Sequence, residues 1–253
     1  MLARLKWLTF LSLDAPLVAV TWQVLFAKEQ GIRLAWYHSA IVFLSVWLGY
    51  AADRWCDNLK GHQPLSQQHA FYAKHSSRIL AVWISVLVLA SSLAFLKLNR
   101  PQLIHGFVLM GIALAYSVFA QKGRQLPFYA LAKSSLTALL VLASSLLFLP
   151  FTASSYLTAI YVWMLFTSNC LYIRSWTHSG EQKAARRAGI LAILVGLTTV
   201  LAFWARDSQV AAATFLAQSG IVALHLFQHR FEIPTLRISA DLCLLSPLLF
   251  VAF

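Results

Sequence analysis

The chain has 253 residues, of which 60% are hydrophobic and only 11% are Asp, Glu, Lys or Arg. Ordinary globular domains carry about 25% charged residues, so this chain has too little charge to solvate a surface of its size, and its mean hydropathy of +0.70 excludes a soluble protein. The 20 Lys and Arg against 8 Asp and Glu give a net charge of +12, which on a membrane protein records topology and contact with anionic lipid; no nucleic-acid partner is expected. Cys56, Cys170 and Cys243 are odd in number and far apart, fit neither a disulfide framework nor a CxxC site, and read as small buried hydrophobes.

A membrane-spanning helix needs about 20 apolar residues. Runs of that kind occur at about 7–27, 34–52, 79–96, 102–119, 128–149, 156–173, 189–204, 210–227 and 236–253, each bounded by charges, Pro or Gly. The N-terminal stretch lacks a small-residue cleavage site and reads as a retained first span. Trp7, Trp36, Trp47, Trp163, Trp176 and Trp204 fall near the ends of runs, where an indole prefers the headgroup layer. The expected architecture is a single polytopic membrane domain over 1–253, an all-α bundle of about nine transmembrane helices.

Sorting the basic residues by loop gives the sidedness. The N-tail and the even-numbered loops hold 14 of them, among them Arg54, Lys122, Arg124, Arg174 and Arg237; the odd-numbered loops hold only Lys28, Arg33, Lys97, Arg100 and Arg206. By the positive-inside rule the N-terminus and the even loops are cytoplasmic, and the C-terminus of this cell-membrane protein lies outside. The two longest loops, about 53–78 and 174–188, then share the cytoplasmic face, where chemistry is expected.

At the cytoplasmic end of the second span stands Gly49-Tyr50-Ala51-Ala52-Asp53-Arg54-Trp55-Cys56-Asp57. On a continuing helix Asp53 and Asp57 share one face, about 6 Å apart at Cβ. Two carboxylates so placed repel unless a cation joins them, and Mg²⁺ is commonly held by one or two carboxylates plus substrate phosphates. The plainer alternative is a solvated helix end, with Arg54 or Lys60 pairing the two acids.

This stretch resembles the first aspartate motif, NxxxDxxxD, of the UbiA superfamily of intramembrane prenyltransferases, with Gly49 in place of the Asn. Leu13-Asp14-Ala15-Pro16 resembles the family's first-span LDxP segment, and Tyr116 followed by Lys122 and Arg124 resembles its Tyr to Lys-Arg tract. In layout the resemblance covers nearly the whole chain. It implies a UbiA-like bundle that transfers an isoprenyl group from a polyprenyl diphosphate to a small acceptor with the help of Mg²⁺. Asp53 and Asp57 would be the catalytic, metal-binding pair, and Arg54, Lys122, Arg124, Asn169 and Arg174 would contact the diphosphate. The family's second motif, DxxxDxxxD, falls on Asn169, Ile173 and Thr177, where no carboxylate remains and Glu181 is the nearest acid. A catalytically lapsed lipid-binding or accessory protein of the same fold is therefore the alternative reading.

Lys133 lies about five residues inside the fifth span, roughly 8 Å along a helix, either snorkelling or facing an internal cavity. Asp14 and Asp241 also fall in spans, and a charge there needs a partner, for which Lys133 is a candidate. A small transporter using these three residues is a third reading. His62, His69 and His75 share a loop without zinc-ligand spacing. No GxSxG, P-loop or GxGxxG occurs, which removes hydrolase, nucleotide-hydrolysing and dinucleotide-binding readings.

Overall fold

A computed structural model of the protein describes residues 7, 10–59, 71, 74–125, 128–150, 153–177, 182–206 and 208–251. In lipid, a helix is the only open segment that satisfies every backbone N–H and C=O from within, and the regular structure among the described residues is all helical. In chain order the helices are α1 (Asp14–Glu29), α2 (Trp36–Leu59), α3 (Ser76–Lys97), α4 (Arg100–Lys122), α5 (Tyr129–Leu146), α6 (Ala153–Thr177), α7 (Gln182–Arg206), α8 (Gln209–Leu226), α9 (Ile233–Cys243) and the short α10 (Leu248–Val251). Each of the nine expected spans coincides with a helix, the last being shared by α9 and α10. Among the described residues six segments are long and apolar enough to cross a membrane: α3, α4, α5, Tyr156–Thr177 of α6, α8, and Ile233–Val251. α1, with 16 residues, is shorter and α2 is more polar, while α7 carries an uncharged apolar run from Gly189 onward. The build is that of a multi-pass membrane protein.

Burial sorts the helices. In α6 56% of the span is buried, against 6% in each of α3 and α4. α6 is therefore the central post, and its Val162, Leu165, Phe166 and Leu171 pack with Trp22, Leu25 and Phe26 of α1 and Val210, Ala213 and Ala217 of α8 in one core. α3 and α4 show large apolar side chains such as Val88, Leu96, Phe107 and Leu114 on most of their circumference. That surface suits hydrocarbon and not water. α3 is tied to α2 by Trp83 Nε1 donating to the Leu48 carbonyl at 2.9 Å, and α5 to α4 by the Tyr129 hydroxyl donating to the Ala120 carbonyl at 2.6 Å.

Three boundaries differ from expectation, each for a local reason. The first helix begins only at Asp14, because Ser12 sits at φ 54° in the left-handed region, which ends any helix arriving from Trp7. Trp47 Nε1 holds that turn through the Leu11 carbonyl at 2.9 Å, and Pro16 in the first turn costs no helical hydrogen bond. α2 runs past position 52 without a break to Leu59. The expected last span is interrupted after Cys243, because Pro247 has no N–H to continue the ladder. The Leu248 N–H turns to Leu245 at 3.0 Å, and the Leu244 carbonyl so released accepts from the fully buried Trp22 Nε1 at 2.8 Å.

The tryptophans correct another expectation. Trp7 and Trp36 are exposed, as interfacial anchors would be. Trp163 instead donates to the Ser135 carbonyl at 3.0 Å, and Trp176, 7% exposed, donates to His225 Nδ1 at 3.1 Å. With Trp47 and Trp22 they fasten helices to one another, since an indole N–H inside the bundle needs an acceptor. The Trp204 side chain lies outside the described residues.

α8 and α9 approach most closely at Gly220, where an added Cβ would lie 2.7 Å from Cys243 Sγ. Gly220→Ala is expected to lower stability in detergent by about 1–2 kcal/mol through this overlap. Cys243→Ala, which removes the sulfur, restores most of the loss in the double variant; thermal unfolding of the four proteins measures both effects.

Candidate functional site

Successive helices alternate in direction, so the start of α1, the end of α2, the end of α4, the start of α5, the end of α6 and the start of α9 all belong to one end of the bundle. At this end lies a cavity of about 50 Å³. Its polar wall is made by Asp14, Tyr50, Thr137, Asn169, Cys170 and Asp241. The apolar wall includes Val18, Val141, Phe166 and Leu244. Leu244 thus lines the chamber with its side chain while its carbonyl holds Trp22.

Each polar group arrives by a local rule. Asp14 opens α1, where a carboxylate meets the positive end of the helix dipole, and its Oδ1 accepts from the Ala15 N–H at 3.0 Å. Asp241 follows Arg237 by four residues on α9, and Arg54 follows Tyr50 by four on α2, so each pair shares a helix face. The Arg54 guanidinium lies 5.5 Å from the centre of the Tyr50 ring. Asp241 meets Asn169 and Asp14 through side-chain hydrogen bonds, and Arg237 is its cationic neighbour. Arg54 and Arg237 also act electrostatically on Asp14. Two carboxyls and two guanidiniums from α1, α2 and α9 therefore compensate one another around the chamber, as charges in an apolar bundle must.

A second polar thread runs from this cluster toward α4. The Thr137 hydroxyl donates to the Lys133 carbonyl at 2.8 Å and meets the Tyr116 hydroxyl at 2.8 Å. Asp53, half-buried on α2, lies within electrostatic reach of Tyr116. Next to the chamber Ser168 donates to Gln218 Oε1 at 3.0 Å. Asn169 Oδ1 is buried and has no hydrogen-bond partner, although the residue is only 4% exposed.

The residues singled out in the sequence divide accordingly. Asp14, Asp241, Arg54 and Asn169 come together. Asp57 continues the face of Asp53 on the unbroken α2, with its side chain outside the described residues. Lys122 ends α4 exposed, and Arg174 is half-buried in the last turn of α6. The Arg124 side chain, and all of Lys60, His62, His69, His178 and Glu181, lie outside the described residues. Lys133 does not pair with Asp14 or Asp241; its charge registers at Cys170, while the two acids take Arg237 and Arg54. Arg237 in turn corrects its assignment to a loop, because α9 starts at Ile233 and carries it into the bundle. Its four-residue spacing from Asp241 is a signal that could have found it. Tyr50 and Thr137 carried no such signal.

Among the described residues no group of three or more His, Cys, Asp or Glu is placed to hold a metal ion. Asp53 and Asp57 stand one turn apart on α2.

Removing one member of the charge cluster strands the others. Arg237→Gln is expected to destabilise the detergent-solubilised protein by about 2 kcal/mol, reduced from the fully buried case because Arg237 is only half-buried. Adding Asp241→Asn returns a large part of this, which a double-mutant cycle on chemical unfolding measures. No protein-family description, no curated protein and no solved structure matches the chain.

Proposed function

We propose that the protein is a membrane-embedded, UbiA-like isoprenyl transferase whose working face is the end of the bundle that holds the chamber, turned to the cytoplasm. The observation that carries this reading is the course of α2. It runs unbroken to Leu59, so Asp53 and Asp57 stand a turn apart at the same end where Asp14, Arg54, Asn169, Arg237 and Asp241 converge. Arg54 and Arg237 offer planar cations to a diphosphate, to which guanidinium groups bind through paired charge-assisted hydrogen bonds. The isoprenoid tail would lie along the apolar side chains of the chamber wall and of the neighbouring helices.

Asp53 and Asp57 would hold one Mg²⁺, which when bound supplies charge neutralisation for a departing diphosphate. The chain's own contribution is the rest. The guanidiniums orient the diphosphate, the apolar wall keeps bulk water from the allylic carbon, and the tie between Thr137 and Tyr116 fixes α4 against α5 beside it. The cytoplasmic orientation draws support from the basic residues of the same end, Lys122, Arg174, Lys183, Arg186 and Arg187.

A binding protein that performs no transfer is the second reading. It is favoured by Asn169, Ile173 and Thr177, three helical positions without a carboxylate where a second metal set would stand.

Binding of geranyl diphosphate to the detergent-purified chain, with Mg²⁺ or with chelator, tests the site. Mg²⁺-dependent binding is expected, weakened about tenfold or more in Asp53→Asn and in Asp57→Asn. Wild-type binding by both variants, or indifference to chelator, overturns the assignment. Binding without any product in the presence of alcohols or phenols selects the second reading.

A further inference from the structure

The chamber itself has a chemistry distinct from the diphosphate face. Its lining includes both carboxyl groups and the unpartnered Asn169 Oδ1, whereas Arg54 and Arg237 stand outside the lining. Tyr50, Thr137 and Cys170 add hydroxyl and thiol groups to this lining, of which Thr137 already donates to the Lys133 carbonyl, while the buried Asn169 Oδ1 asks for a donor. Asn169 is 4% exposed and also bonds Asp241, so its free oxygen is held in place beside the acids. A volume of about 50 Å³ admits a hydroxyl group or about one to two waters, and no ring. With two guanidiniums beside an acid pair that shares a proton, the cluster carries no surplus negative charge, so a neutral guest fits better than a cation. A hydrogen bond between two carboxyl groups requires a proton between them, so the Asp14 and Asp241 pair both gives and accepts hydrogen bonds.

We propose that this chamber seats the nucleophile: it receives a single O–H group, of an alcohol, a phenol or water, and the Asp14 and Asp241 pair takes its proton. The inference rests on the transferase reading above. The bond between the allylic carbon and the diphosphate oxygen breaks, with its electron pair leaving on the diphosphate. The hydroxyl oxygen forms the new bond to that carbon, and the hydroxyl proton passes to the carboxylate side of the acid pair. Asn169 Oδ1 is a positioning group that accepts a hydrogen bond from the incoming O–H.

Two probes of the full-length protein test this with geranyl diphosphate and Mg²⁺. In ¹⁸O-water the wild type is expected to release geraniol carrying ¹⁸O on carbon, which a contaminating phosphatase, cleaving at phosphorus, does not produce; with 1-propanol it is expected to give geranyl propyl ether. Both products fall about tenfold or more in Asp241→Asn and in Ala138→Val, whose added methyl groups occupy the chamber without touching its charges. Wild-type protein that binds geranyl diphosphate but gives neither product, or variants that give them at the wild-type rate, overturn the proposal. Failure of binding itself counts against the transferase reading instead, and the chamber is then judged by infrared spectroscopy without metal or diphosphate. A carboxylic-acid C=O band that shifts in heavy water and on adding 1-propanol, and is lost in Asp241→Asn, supports the seat; its absence from the wild type, or its indifference to 1-propanol, refutes it.

Discussion

A carboxyl group enclosed by apolar helices has to be neutralised, hydrogen-bonded or both, because hydrocarbon offers no solvation in return for the water it loses. Asp14 and Asp241 meet that requirement through each other and through Asn169, Arg237 and Arg54. The partners come from α1, α2, α6 and α9, elements far apart in the chain. Their mutual compensation fixes the rotation of each helix about its own axis, since a turn that withdrew one partner would leave the others uncompensated. The chamber exists where these faces meet.

The surrounding fold keeps that meeting point in register with ordinary means. Small residues let helices approach, as Gly220 does against Cys243, and indole N–H groups bond to backbone carbonyls of neighbouring helices. The break at Pro247 is the clearest case. It ends α9, frees the Leu244 carbonyl for Trp22 and leaves the Leu244 side chain on the chamber wall, so one local interruption couples core packing to the site. At the opposite end of α1, Glu29 accepts from Ser208 and from the Val210 N–H, capping α8 and tying the start of that helix to α1.

Two neighbouring regions of opposite character follow from this arrangement. Outside the chamber stand guanidiniums suited to an anion, together with the paired acids of α2 that suit a dication. Inside it are acceptors suited to a hydroxyl. Asn169 of α6 bonds Asp241 of α9, so that position serves the inner wall.

Much of the fold was legible in the sequence, because an apolar run of sufficient length must become a helix in lipid whatever its neighbours are. The helix positions and the four-residue spacings of Asp53 with Asp57 and of Asp241 with Arg237 are local properties of that kind. The helix ends were less legible: the left-handed Ser12 and the continuation of α2 depend on contacts made by Trp47 and on packing beyond the run. The pairing of charges was not legible at all. The sequence offered Lys133 as the partner of Asp14 or Asp241, since hydrophobic periodicity places a residue along a helix but does not say which helix faces it. By itself the sequence determined that the chain is a bundle of apolar helices, compatible with a multi-pass membrane protein, with acids at the end of its second helix. Only tertiary packing, which sets helix rotation and neighbours through many weak contacts at once, decided that Asp14, Asp241 and Asn169 share one chamber.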